Sequence, residues 1–597
     1  MMATESPLVP QQHHARYSLP ADFQYRSRRR TLSSSQSQSS KPAINNGSIP
    51  ELPLFVEARS HALAEPHKPA IIDKSRNQSF TYSELLNDVA TFKAQIEQYL
   101  PSSPSPSPVG EEPRVAFLTP SGYDYVVMQW AIWAAGAISV PLCTSHPLKE
   151  LQYTISDSDP SLIILHPSYS RFEAGLREQA PAIPLITITP FSPPTPNTTT
   201  SSIHSTATIS LPKFTSSFPL SRGALIIYTS GTTSRPKGCV STHETITFQA
   251  RCLVEAWQYS RQDHLIHVLP LHHVHGIING LTATLLAGGT VEMHPKFDAK
   301  TVWDRWSDKG SSTMFMAVPT VYSRLIDYFD SHIRGNTTCE VAAREGANAL
   351  RLVVSGSAAL PVSTKRKFEA ISGHELLERY GMTEIGMALS CGLERHRRID
   401  GSVGWPLPGV QVRLTSETGD RVITSSGEDE AGNIEIRGPN LFAEYFKREK
   451  ATVESFTEDG WFKTGDVAKR AADGAYFILG RESVDLIKSG GYKISALEVE
   501  RKILGNDVLG EIVGEAVVVG VEDVEWGQRV AAVVTLKNNT GTGNENQIDL
   551  KTFRAHLKED MAPYKIPSIL KIVDTIERNA MGKVNKKEVL KQYFSTQ

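Results

Sequence analysis

Short, nearly continuous apolar runs recur along most of the chain: VAFLT at 115–119, SLIILH at 161–166, ALIIYT at 224–229, LIHVLPL at 265–271 and RLVVSG at 351–356. Runs of this length without polar alternation predict strands buried on both faces, as in parallel sheets. Between them lie stretches of helical spacing, such as 302–309 and 364–371. Strands alternating with helices predict an α/β fold with mostly parallel sheets. The run YVVMQWAIWAAGAISVPL at 125–142 approaches the roughly 20 residues that cross a bilayer. Gln129, Gly136, Ser139 and Pro141 interrupt it, so it predicts no membrane span but a buried helix turning at Gly136 into a strand. Past Gly480 the pattern restarts: strands EAVVVGV and RVAAVVTL, the helix LKTFRAHLKEDM, then the strand SILKIVD. That is a small α+β domain. Segments 101–113 and 191–221 are rich in Pro, Ser and Thr and predict surface excursions. The divisions are 1–48, a disordered leader; 49–480, a large α/β domain; and 481–597, a small C-terminal domain.

Composition sharpens this only in places. The chain has 597 residues, enough for several domains, with 40% apolar and 21% charged residues, which is ordinary globular usage. Its formal net charge of −2 argues against nucleic acid or an anionic membrane as the main partner. The first 40 residues carry Arg16, Arg26, Arg28, Arg29 and Arg30 against Glu5 and Asp22, a net +3. An Arg- and Ser-rich, acid-poor leader without an apolar core fits a mitochondrial presequence, with cytoplasm as the alternative address. Five cysteines, scattered and without a C-x-x-C, fit a reducing compartment such as the matrix.

Candidate chemistry begins after the strand at 224–229, in Thr229-Ser230-Gly231-Thr232-Thr233-Ser234-Arg235-Pro236-Lys237-Gly238. Small hydroxyl residues and glycines there make a loop whose N–H groups can wrap a phosphate, with Lys237 as a point charge. It is not a Walker loop, because Pro236 precedes the lysine and Gly238 follows it. Five histidines between His264 and His275 raise a zinc hypothesis, which the lack of a completing acid or cysteine set disfavours.

The sequence YTSGTTSRPKG resembles the phosphate-binding signature of the acyl-adenylate-forming enzymes, with Ser234 where glycine is common. Further signatures follow in family order: LPLHHVHG at 269–276, YGMTE at 380–384, TGD at 464–466, GRESVDLIKSGGYKISALEVE at 480–500 and RNAMGKVNKK at 578–587. The resemblance implies a large nucleotide-binding domain and a small mobile lid, using ATP, Mg²⁺ and CoA. It places the nucleotide on Thr229, Ser230, Gly231, Thr232, Thr233, Lys237, Gly356, Ser357, Tyr380, Gly381, Met382, Thr383, Asp466 and Arg481. Glu384 and Thr232 would hold Mg²⁺ and act in catalysis with Lys583. Lys488, Gly490, Gly491 and Tyr492 would line the CoA path, after a turn about residues 481–483. A carboxylate such as Glu384 suits Mg²⁺, and Asp466 can accept both ribose hydroxyls.

Within the family, SGSA at 355–358 with ERYGMTE at 378–384 is most similar to malonyl-CoA synthetases. An arginine against an acyl pocket is costly unless an anion meets it. The resemblance implies Arg379, Ser355, Ser357 and His273 as the holders of a second carboxylate. The implied reaction is ATP-dependent ligation of malonate to CoA through malonyl-AMP, with methylmalonate as a second substrate, in a monomer or homodimer. Two alternatives stand beside it: a ligase for a medium-chain, aryl or oxalate-type acid, and a non-catalytic nucleotide or acyl binder.

Overall fold

The computed structural model describes residues 47–101, 111–192, 210–229, 235–308, 312–424, 430–481, 483–537, 548–578 and 584–594. The leader expected over 1–48 lies outside them up to residue 46.

Two large sheets organise the first part of the chain. One has nine strands, in the order Trp405–Pro406, Gly386–Ser390, Leu377–Met382, Leu352–Ser355, Met314–Ala317, His264–His267, Thr290–Met293, Pro69–Asp73 and Gln78–Thr81. Its middle is parallel and its two ends turn back antiparallel. The other has seven: Glu444–Tyr445, Lys237–Thr242, Gly223–Thr229, Ile138–Pro141, Arg114–Leu118, Leu162–Leu165 and Leu185–Thr187. These strands fall on the apolar runs of the sequence. A four-stranded antiparallel sheet, Gln411–Thr415, Ala431–Arg437, Phe462–Arg470 and Tyr476–Arg481, completes this part.

The apolar stretch at 125–142 is a helix, Tyr123–Ala134, buried along its whole length, followed by the strand Ile138–Pro141. Gly136 makes the turn at φ +70°. Two of the polar interruptions bond internally: Gln129 donates to Tyr125 Oη at 3.1 Å, and Ser139, like Trp133, donates to the Ala224 carbonyl. Among the described residues no helix is long and apolar enough to cross a membrane. One expected strand is shorter than its apolar run. LIHVLPL pairs only as His264–His267, because Pro270 has no N–H to offer and Leu269 and Leu271 are buried from a loop. The segment beyond 191 partly returns to the core, where Lys213–Thr215 pairs in parallel with Ser48–Pro50.

The last part holds a five-stranded sheet built on Val513–Asp523 and Gly527–Leu536, and the second of these strands also pairs with Leu486–Ser489, of the hairpin completed by Tyr492–Ser495, and with Ile569–Ile572. The helices Ala496–Gly505 and Leu550–Leu557 bury Val499, Ile503, Phe553 and Leu557 against its strands. The second helix stops short of the expected 550–561, with Pro563 a turn beyond it.

Candidate active site

The parallel strands deliver their loops to one edge, and the antiparallel hairpins close over it. Gly223–Thr229 and Lys237–Thr242 run antiparallel with Thr229 opposite Lys237. Ser230, Gly231, Thr232 and Thr233 lie outside the described residues. Lys237 Nζ sits 4.0 Å from the centre of the Tyr445 ring. Tyr445 donates its hydroxyl proton to Glu384 Oε1 at 2.7 Å. Glu384 is buried, in the turn joining Leu377–Met382 to Gly386–Ser390, where Thr383 also lies. That turn is tight enough that a Cβ on Gly381 would fall 2.1 Å from the Gly386 carbonyl oxygen. Tyr445 thus ties the phosphate-loop lysine to the expected magnesium ligand, although no motif singles it out. Glu384 is a hard oxygen donor with only one oxygen bound to a hydroxyl, a donor set that fits Mg²⁺.

On the same strand, Tyr380 donates to Asp466 Oδ2 at 2.6 Å, and Arg481 Nε lies 3.2 Å from Asp466 Oδ1. Asp466 and Arg481 are direct cross-strand partners. The three expected nucleotide residues therefore form one group. Each carboxylate oxygen of Asp466 faces a donor.

Arg379, one residue before Tyr380, is 4% exposed. Its Nη2 donates to Ser357 Oγ at 2.9 Å, and His275 Nδ1 lies 3.4 Å from that same oxygen. Among the described residues no carboxylate pairs with it, and its Nε is buried without a partner. Burial takes the guanidinium down to about 9, and burial with the nearby Arg379 depresses the His275 imidazole. Ser355 Oγ and His275 Nε2 are also buried without hydrogen-bond partners. Gly356 is packed against the guanidinium: a Cβ there would lie 2.4 Å from Arg379 Nε. Ser357 adopts φ +69°, the left-handed region, which turns its hydroxyl onto the arginine. His275, at the start of the wide helical turn His275–Thr282, also reaches Ser357, and His273 packs its ring 4.1 Å from that of His272.

The expected CoA-path residues sit on the hairpin of the small sheet. Gly490 and Gly491 take φ +55° and +83° in its turn, and Tyr492 stacks on Tyr564 at 4.2 Å. Lys488 pairs with Glu417 at 3.2 Å, and Lys493 pairs with the same carboxylate. That holds the hairpin against the four-stranded sheet rather than over Glu384. Lys583 lies outside the described residues. Lys586 is described: its ammonium is 2.6 Å from Asp485 and 2.8 Å from Glu500.

The AMP-binding enzyme family matches residues 58–446, and the AMP-binding enzyme C-terminal domain matches residues 509–583. The chain is 42% identical over 548 residues to a mitochondrial malonate–CoA ligase of Xenopus laevis, covering 88% of this chain and 90% of that protein. Its fold superposes on ATP-bound MatB of Rhodopseudomonas palustris with a TM-score of 0.74 at 31% identity, covering 91% of this chain and 99% of that one. A malonyl-CoA ligase in a ternary product complex with methylmalonyl-CoA and AMP is 32% identical and superposes with a TM-score of 0.57, over 88% of this chain and all of that one. Fold, ordered motifs and relatives agree, and the chain belongs to the AMP-binding enzyme family.

Proposed function

We propose that this chain is an AMP-forming malonate–CoA ligase. The observation that carries the reading is Arg379: a buried cation beside Ser355, Ser357 and His275, without a carboxylate among the described residues. A neutral acyl tail would leave that charge uncompensated, whereas a distal carboxylate meets it with a paired, charge-assisted bond. Malonate bound in this way directs its other carboxylate toward the phosphate edge at Thr229 and Lys237. The relatives that act on malonate support the same assignment.

In the first half-reaction that carboxylate attacks the α-phosphate of ATP, giving malonyl-AMP and pyrophosphate. Lys237 and Lys583 offset the negative charge gathering on phosphate, which is electrostatic stabilisation of a transition state. Glu384 and Thr232 would hold Mg²⁺, which when bound neutralises and aligns the phosphates. Tyr380, Asp466 and Arg481 grip the adenosine end. In the second half-reaction the small domain, beginning near residue 481, turns and brings Lys488, Gly490, Gly491 and Tyr492 over the site. The CoA thiol then attacks the mixed anhydride and AMP leaves.

The test is AMP release by the purified chain across mono- and dicarboxylates. Malonate should be preferred, with methylmalonate second, since one methyl group is worth only about 1–3 kcal/mol of discrimination. Equal turnover of acetate or palmitate would sink the assignment. We place the enzyme in the mitochondrial matrix, on the arginine-rich leader and the mitochondrial relative. A tagged chain that still enters mitochondria without residues 1–40 would overturn the role of that leader.

A further inference from the structure

His275 opens a wide helical turn, His275–Thr282, in which hydrogen bonds reach further back than in an ordinary helix. The Ala283 N–H donates to the Ile278 carbonyl, and Thr282 Oγ1 donates to the Ile277 carbonyl at 2.7 Å. Wide turns of this kind concentrate at functional sites. His267 lies against the turn: its Nε2 is 3.0 Å from the Gly276 carbonyl oxygen, and a Cβ on Gly280 would stand 2.7 Å from its ring. One imidazole thus meets two residues four apart, so positions at that spacing share a face here. His275 and Asn279, one residue before each, share the neighbouring face.

Asn279 is fully buried, and neither its Oδ1 nor its Nδ2 has a hydrogen-bond partner among the described residues. Its backbone carbonyl accepts from Tyr259 Oη at 2.8 Å, which fixes the backbone and leaves the side-chain amide unspent. A buried amide with both ends unmet costs stability and calls for a partner. Proton bookkeeping beside it names the kind of partner. Arg379 has only donors, so Ser357 Oγ accepts from it and gives its own proton to His275 Nδ1, 3.4 Å away. Burial and the nearby arginine keep that imidazole neutral. A neutral ring that accepts at Nδ1 carries its proton at Nε2, which is buried and likewise unmet among the described residues. The face shared by His275 and Asn279 therefore offers N–H donors from Nε2 and Nδ2 and a single acceptor, Oδ1.

We propose that Asn279 is a specificity-determining residue for the acid, donating from Nδ2 to the distal carboxylate that Arg379 pairs with. The inference rests on the malonate reading above. With the acid in place, Oδ1 takes the His275 Nε2 proton, and Nδ2 meets the carboxylate oxygen that the guanidinium leaves open. Both ends of the amide are then satisfied together. A methyl-ended acid leaves Nδ2 unmet, so the unpaired amide of the free protein becomes a preference for a second carboxylate.

AMP release by the purified full chain carrying Asn279→Leu, with malonate and ATP each varied, tests this. Leucine matches the size of the side chain and makes no hydrogen bond. KM for malonate should rise about 10–100-fold, the range for one lost hydrogen bond to a charged group, while KM for ATP moves less than about twofold. The substrate-free melting temperature should hold level or rise, because the change removes a buried unpaired amide. Asn279→Asp supplies a second readout that packing would not move. It sets carboxylate against carboxylate, so kcat/KM for malonate should fall further and recover, relative to the wild type, as pH drops from 8 to 6 and the new carboxyl gains a proton. An unchanged KM for malonate in Asn279→Leu, an equal rise in both KM values, or an Asn279→Asp profile parallel to that of the wild type would each overturn the proposal. A wild-type chain that releases no AMP with malonate would instead overturn the reading on which it rests.

Discussion

The proposed preference for malonate rests on one guanidinium, Arg379, enclosed by Ser357, His275 and the Gly356 backbone with no carboxylate among the described residues to balance it. Arg379→Leu should lower kcat/KM for malonate by about 10²–10³-fold, the effect of truncating one partner of a buried charge pair. It should leave a monocarboxylate such as butyrate nearly untouched; equal losses on both acids would show a folding defect instead. The next residue back, Glu378, faces the other way and is held by burial at about 8 rather than the usual 4.5, despite Lys365 and Arg501 nearby. A carboxyl whose native value is raised stabilises the fold fully below its unfolded value and loses that contribution as pH climbs through the native one. Glu378→Gln stays neutral throughout. Its melting temperature should therefore gain on the wild type between pH 5 and pH 8, the stability gap widening by at most about 1.4 kcal/mol per pH unit. An offset that does not change with pH would contradict this. Tyr445→Phe removes the hydroxyl from Glu384, and AMP formation should fall roughly tenfold with little change in KM for malonate, as expected for one lost hydrogen bond to a charged group.

At the scale of elements, the site is a set of strand ends, which explains both what could be read from the sequence and what could not. Motifs such as 380–384 and 464–466 each occupy one hairpin or strand, so their residues sit together in sequence as well as in space. The buried helix at Tyr123–Ala134 was legible because unbroken burial demands unbroken apolarity. Tyr445 was not, because it reaches Glu384 from 61 residues away on a two-residue strand too short to leave a periodic signal. The contact of His275 with Ser357 was not legible either, because it depends on where the strand His264–His267 stops and the wide helical turn begins, a boundary that the apolar run at 265–271 conceals. The loop after Leu352–Ser355 supplies the element-scale test. Gly356→Ala drives a methyl group into a guanidinium that is itself walled in. KM for malonate should rise about tenfold or more while KM for ATP moves little, a shift that initial-rate titrations with each substrate would separate. A matching rise in KM for ATP would mean that the loop, not the arginine, had been displaced.

For the whole molecule, the question is how one site performs two reactions in turn. Lys488 and Lys493, both paired with Glu417, fasten the hairpin of the small sheet in its present place. These pairs are exposed, so their hold is slight and salt-sensitive. Glu417→Gln should speed thioester formation relative to ATP–pyrophosphate exchange by less than about fivefold, and high salt should erase the difference. A ratio that is unchanged at low salt would remove the tether from the account. The pivot itself is firmer. Asp485 accepts the Arg481 backbone N–H at 3.0 Å and also holds Lys586, which Glu500 grips from the other side. Lys583 stands three residues before Lys586 in the chain. In the proposed mechanism, a turn of the small domain that admits the thiol would therefore also carry the segment anchored at Lys586, so that one movement would serve both half-reactions.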